Sequence, residues 1–330
     1  MSFSAEKRYY LKLKSVYYFY EMNYTQVQIS EMLGISRITL GKLLREAKEE
    51  GMVKIEIVDV RGVRALLDIE VRLQERFGLT DAMVVDVIEN ERGEIIRKLA
   101  AAGARYMEDA IRSGMKLGLA WGRTQELLIE YMQENRGIKN IEVTTLLGGS
   151  GSAGAAAQPN IIAQRLLEKF SGTGYILNAP FLCQTENLCR ALYREPQIAA
   201  VLERAKTADL TLIGIGETPR SPEDYGQSYN YTEEMINELK EAGAVGDICA
   251  NFYDINGKMC NTSVSRRVVA IDIADLRMHN KVVAVGGGPN KWASVVGALR
   301  GGYIDVLITD KFTAEKVLDF TDNGGNNEQY

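Results

Sequence analysis

The sequence predicts an α/β protein in two parts: a winged helix-turn-helix over residues 1–60 and a doubly wound parallel sheet over 61–330. Three observations carry this. From residue 82 onward, segments of strand and helix character alternate, the pattern of a parallel sheet covered on both faces. Within that stretch Leu210–Ile215 and Val282–Val285 are largely aliphatic, as central strands buried on both faces require. Ahead of it, residues 24–50 hold two short amphipathic helices separated by a glycine turn. A chain of 330 residues with 46% apolar and 25% charged residues is long enough and ordinary enough to build both cores.

Tyr9–Met22 has apolar residues at Tyr10, Leu13, Tyr17, Phe19 and Tyr20, near helical spacing. Thr25 and Gln28 then have the capping-box form, followed by Val27, Ile29, Met32 and Leu33 on one helix face. Gly34 stands where a left-handed cap is wanted, and Ser36 is a second N-cap. Arg37–Glu50 is the second helix, with Leu40, Leu43, Leu44 and Ala47 inward and Gly51 stopping it. Met52–Ile57 alternates like a strand, the expected wing. In such a pair the second helix enters the major groove of DNA. Arg37 and Thr39 are placed for base edges, Lys42 and Arg45 for phosphate, with Thr25, Gln26, Gln28 and Ser36 at the helix starts beside the backbone. A small helical packing or dimerisation module is the structural alternative.

Val58–Gly62 loses periodicity, and Val63–Phe77 restores a helix. Glu70 interrupts a heptad, so this helix packs either on the larger part or on a partner rather than in a long coiled coil. The expected strands are Ala82–Val87, Met115–Ala120, Ile141–Leu147, Gly174–Leu177, Leu210–Ile215, Asp247–Phe252, Val268–Ile273, Lys281–Val285 and Val306–Ile308. Helices are expected at Ile95–Ile111, Gln125–Gln133, Ile161–Phe170, Gln197–Lys206, Thr232–Glu241, Lys291–Arg300 and Ala314–Phe320.

Glycines gather where strands end: Gly118 and Gly122, Gly148-Gly149-Ser150-Gly151, Gly214-Ile215-Gly216, and Gly286-Gly287-Gly288. Ligands of open α/β sheets sit at those ends, where glycine lets backbone N–H groups approach an anion. Turn chemistry alone is the alternative for any one loop. Arg123 and Thr124 open a helix after Gly122, Lys291 opens one after the triple glycine, and Asp247 is placed to accept sugar hydroxyls. A solvated lysine and a structural aspartate are the alternatives for the last two.

Several function classes are disfavoured. The four cysteines form no C-x-x-C pair and His279 is the only histidine, so neither a metal site nor a Ser-His-Asp or Cys-His enzyme is expected. No apolar run reaches the ~18 residues of a membrane span. The polar N-terminus is unlike a secretory signal, so a cytoplasmic location is expected. Residues 1–62 carry ten Lys/Arg against eight acids, net +2, while the remainder is −7; contact with a polyanion is confined to one end.

Ordered motifs extend this reading. They are Tyr24-Thr25-Gln26, Leu33-Gly34-Ile35-Ser36-Arg37, Leu119-Ala120-Trp121-Gly122-Arg123-Thr124, Gly243-Ala244-Val245-Gly246-Asp247-Ile248-Cys249, and Ala298-Leu299-Arg300-Gly301-Gly302 with Leu307-Ile308-Thr309-Asp310. Together they resemble the SorC/DeoR family of sugar-sensing transcriptional regulators over nearly the whole chain. The resemblance implies a winged helix-turn-helix joined to a Rossmann-like effector domain similar to sugar-phosphate isomerases and deaminases. It implies operator DNA and a phosphorylated sugar or sugar alcohol as partners, a homodimer or homotetramer, and no cofactor. The ligand positions it implies are Trp121, Gly122, Arg123 and Thr124, the loop with Gly149, Ser150 and Gly151, Asp247 and Lys291. Two departures stand out: Trp292 follows the retained Lys291, and Gly41 lies within the second helix where the family has a side chain. A sugar-phosphate isomerase or deaminase, or an assembly subunit whose head binds protein, are the competing readings.

Overall fold

The computed structural model describes residues 5–55, 64–150, 158–221, 231–322 and 324. The chain divides into two compact units, 1–62 and 63–330.

In the smaller unit, α1 (Ala5–Val16) runs into one wider π-type turn (Tyr17–Glu21) and is followed by α2 (Gln26–Leu33) and α3 (Arg37–Glu49). The Thr25 hydroxyl accepts the Gln28 N–H at 3.3 Å, and the Gln28 side-chain oxygen accepts the Thr25 N–H at 2.9 Å, completing the capping box. Gly34 adopts φ 63° between the helices, a conformation that costs any side chain, and Ser36 caps α3 by accepting the Thr39 N–H at 3.1 Å. Ile29, Leu40 and Leu44 form a core with Tyr18, Phe19 and Leu33. Buried Lys12 ties α1 to α3 through Glu50 (2.5 Å) and Glu46 (3.6 Å), and Arg8 adds a 2.6 Å bond to Glu46. The expected wing strand is not formed over Met52–Ile55. There the Met52 N–H bonds back to the Ala47 carbonyl (2.9 Å) and closes α3, while Glu56 and Ile57 lie outside the described residues.

The larger unit is built on a seven-stranded, all-parallel sheet. Its strands are β1 (Asp81–Val85), β2 (Lys116–Leu119), β3 (Ile141–Thr145), β4 (Gly172–Tyr175), β5 (Leu210–Gly214), β9 (Val282–Val285) and β10 (Val306–Asp310). Their spatial order is β1-β10-β9-β5-β2-β3-β4. Both faces of the central strands are buried, with side chains alternating between them, while the edge strand β4 stays largely exposed. Val283, Val285, Leu117, Leu119 and Leu212 pack with α5 (Arg92–Ala110), α6 (Arg123–Tyr131) and α7 (Pro159–Lys169). Val282, Ala284, Ile213 and Leu307 face α4 (Arg64–Phe77), α11 (Trp292–Arg300) and α12 (Lys311–Asp322). Helix α4 buries Ile69 and Leu73 on the larger unit and leaves Leu67 and Val71 exposed.

Three expectations change. Asp247–Phe252 is not one strand but spans a hairpin of β7 (Ala244–Ile248) and β8 (Asn251–Asp254), which pairs with β6 (Gly216–Glu217) in a small antiparallel sheet. Its two-residue turn, Cys249-Ala250, has positive φ at both positions (53° and 60°), the geometry of a tight hairpin but without the usual glycine. That turn carried no sequence signal. Val268–Ile273 makes only isolated bridges, to Leu182 and Leu147, because no neighbouring strand runs alongside it. Two helices flank this region: α8 (Glu186–Arg194), absent from the sequence expectation, and α9 (Pro196–Ala205).

Candidate functional site

A cavity of about 240 Å³ opens in the larger unit at the carboxyl ends of β2, β5 and β9. The chain steps one way from β2 through β3 to β4 and then returns to place β5 on the other side of β2. This reversal is the topological switch point where two adjacent loops separate and leave a crevice. Of the sequence-predicted residues, Trp121, Gly122, Arg123, Thr124, Asp247 and Lys291 meet in its wall. Gly214, Gly216, Gly286 and Gly287 also line it.

Gly149 and Ser150 do not line this cavity. The backbone after β3 is bonded to the next loop: the Gly149 N–H donates to Ala179, and Gly149 accepts from the Phe181 N–H, each at 2.9 Å. The Gln158 side chain brackets Ser150 from both sides of its peptide, at 2.8 and 2.7 Å. A Cβ on Gly148 would lie 2.4 Å from the Ala179 carbonyl oxygen, so glycine there serves close backbone packing. Gly151 lies outside the described residues.

Charge in the cavity centres on Lys291 and Asp247. The ammonium of Lys291 donates to the Ile215 carbonyl at 2.5 Å and lies 4.0 Å from the Glu217 carboxylate. Burial holds its pKa below the usual lysine value, opposed by Glu217 and Asp247 and reinforced by Arg92. Burial pushes Asp247 up to about 6, against the pull of the Ala250 N–H and Lys291. The Ala250 N–H donates to Asp247 at 2.9 Å, so this carboxylate also steadies the positive-φ turn. Arg123, mostly solvent-exposed, lies 3.4 Å from Glu126 in the first turn of α6. The glycine run before Lys291 is pinned from behind: buried Asp310 and Thr313 accept the Gly288 N–H at 2.8 and 3.0 Å.

Sequence reasoning missed three contributors. Gln125 is buried between Gly122 and Gly214, and its Nε2 has no hydrogen-bond partner among the described residues. A buried unpaired donor is costly, and here it borders the cavity. Arg92, at the start of α5, reaches the same space. An aromatic series runs from Trp121 to Phe181 (4.8 Å), Tyr231 (6.4 Å) and Phe252 (6.1 Å). The one available signal was for Arg92, a basic residue opening a helix after a strand; Gln125 and the aromatic series converge only in three dimensions.

In the smaller unit the candidate DNA residues separate into two groups. Thr25, Gln28, Ser36 and Thr39 use their side chains in the caps; the Thr39 hydroxyl lies 2.8 Å from that of Ser36. Gln26, Arg37, Lys42 and Arg45 are exposed, and none of these four makes a side-chain hydrogen bond or ion pair among the described residues.

A crevice at the switch point, ringed by helix starts and charged side chains, defines the class: a small-molecule-binding α/β domain preceded by a helical head. Residues 62–319 match the family model described as "Putative sugar-binding domain". The chain is 31% identical over 309 residues to the deoxyribonucleoside regulator of Bacillus subtilis, covering 93% of this chain and 97% of that one. It is 27% identical to the sorbitol operon regulator of Klebsiella pneumoniae over 96% of this chain and 100% of the relative. The full-length crystal structure of that regulator, SorC, superposes with a TM-score of 0.71 at 27% identity, covering 94% and 98% of the two chains. The protein belongs to this sugar-binding-domain family of SorC/DeoR-type transcriptional regulators.

Proposed function

We propose that the protein is a transcriptional regulator of a carbohydrate or polyol catabolic operon, controlled by a phosphorylated sugar or sugar alcohol. Residues 1–60 act as a helix-turn-helix on operator DNA, and residues 61–330 bind effector and hold a cytoplasmic homodimer or homotetramer. The observation that carries the effector assignment is the convergence of Arg92, Arg123, Lys291 and the start of α6 on one cavity that also holds Asp247. The cations and helix N–H groups suit a phosphate, Asp247 and Gln125 suit hydroxyls, and the Trp121 ring suits the apolar face of a sugar. A volume of about 240 Å³ fits a small metabolite rather than a dinucleotide. Effector changes DNA affinity only as far as it prefers one of two states of the oligomer.

The test is fluorescence anisotropy on DNA upstream of the protein's own gene, with and without a pool of sugar and polyol phosphates. Sequence-specific binding that shifts with the pool is the expected result, and splitting the pool names the effector. Lys291→Ala is expected to abolish the response and keep operator binding; a normal response removes Lys291 from the site. Asp247, with its pKa near 6, also has the character of a general base, which favours an isomerase or deaminase reading. Turnover of a pentose or hexose phosphate would replace the regulator assignment with that one.

A further inference from the structure

Ile38 is the most exposed large apolar side chain among the described residues, at 86%. It lies in the first turn of α3, opposite the buried Leu40, Leu43, Leu44 and Ala47, and shares the outermost stripe of the helix with Lys42 and Arg45 at i+4 and i+7. A β-branched apolar residue at a solvated helix position improves neither helix propensity nor solubility. The surrounding charge narrows what covers it. Arg37, Lys42 and Arg45 are exposed without acidic partners among the described residues, on a face that suits a polyanion.

Gly41 adds a second, independent observation. It lies one turn along, beside Ile38, and a Cβ built there would meet nothing within 4 Å. No packing constraint among the described residues therefore demands glycine, although glycine weakens the helix. Its effect is to leave a bare, shallow hollow next to the isoleucine. Thr39, the remaining polar group of this turn, is occupied by the Ser36 cap.

Among the groups that base pairs display in the major groove, the one apolar feature is the C5-methyl of thymine. Resting on the DNA-binding reading above, we propose that Ile38 is a specificity-determining residue that closes on a thymine methyl group, with Gly41 giving the clearance for that approach. Arg37 beside it then contacts the neighbouring base or phosphate, and Lys42 and Arg45 hold the backbone. The first turn of a recognition helix is the part that reaches base edges, which is where Ile38 stands.

The experiment uses the full-length chain and the footprinted operator, with each thymine in turn replaced by uracil, which pairs identically but lacks the methyl. At one position per half-site the wild-type chain is expected to lose about fourfold in affinity, the worth of one buried methyl-sized group. Ile38→Ala, at a solvated position that does not affect folding, is expected to bind the unmodified operator about fourfold more weakly per half-site and to ignore uracil at that position. Lys42→Ala is expected to weaken binding to all sequences and to keep the uracil penalty. Specific binding with no uracil-sensitive position, or an undiminished penalty in Ile38→Ala, overturns the assignment alone. Absence of sequence-specific binding by the wild-type chain overturns the DNA reading and this assignment with it.

Discussion

The two units solve opposite problems. The head has a small core centred on Ile29, Leu40 and Leu44, with aromatic neighbours, and it leaves Tyr9, Tyr10, Tyr17 and Ile38 in solvent. The larger unit buries both faces of the central strands of its sheet and places its irregular geometry in loops at the carboxyl ends of those strands. A domain of about 60 residues buries a smaller share of its surface than one of 270, so capping and ion pairing matter more to the head. The head is thus an outward-facing surface held by local devices. The larger unit is an inward-facing cavity held by its core.

The comparison makes four further predictions. Leu40→Ala removes a side chain with no exposed surface from the small core and is expected to cost about 2–5 kcal/mol. Calorimetry should show the head's transition lowered or lost while that of the larger unit stays in place. A shared shift of both transitions would break the two-unit picture.

Next is the proton linkage of Asp247. Its folded pKa, about 6, exceeds the ordinary 3.8, so between roughly pH 4 and 6 the folded state holds a proton that the unfolded state has released. Stability is therefore expected to fall as pH rises through that window, by about 2–3 kcal/mol. Denaturant titrations of Asp247→Asn should show this fall removed in the larger unit and the head unaffected. An equal pH slope in wild type and variant would place the carboxyl in ordinary solvent.

Gly216→Ala puts a Cβ 1.8 Å from the Asp247 carboxylate, so strand β6 or the carboxylate must shift. A cost of about 1–3 kcal/mol is expected, with effector binding reduced at least tenfold and operator binding retained. Effector titrations followed by thermal shift check it; unchanged binding would show that Asp247 does not need its present position. Smallest is Ser36→Ala, which removes the α3 cap and is expected to cost about 1 kcal/mol of head stability. A larger loss of DNA affinity than of stability would show that Ser36 also touches the phosphate backbone.

Much of this was legible because the signals are local. Thr25 with Gln28, Gly34 and Ser36 are read within a few residues of one another, and the structure completes those caps. Trp121, Gly122, Arg123, Thr124 and Lys291 meet in one cavity because their loops follow strands whose aliphatic pattern is plain, whereas Asp247 reaches it from within strand β7. Gly149 and Ser150 fall outside it for a reason no local pattern carries: the chain near Pro180 and Phe181 comes alongside from 30 residues away. The β7–β8 hairpin was missed because its turn uses Cys249 and Ala250 in place of the residues that announce such turns. Gln125 was missed because a glutamine early in a helix is unremarkable until Gly122 and Gly214 are seen on either side of it.

The alternation of strands and helices, the capped helix pair and the family to which the chain belongs are all readable from the residues in order. These rest on periodicity and short spacings, which depend on backbone geometry alone. Long-range packing set the rest: β5 returns beside β2, Gln125 and Arg92 join Lys291 and Asp247 in one cavity, and Ile38 rather than Thr39 stands free on the outer face of α3. Those outcomes depend on which distant segments pack together, and burial, pKa and the supply of hydrogen-bond partners are set by that packing.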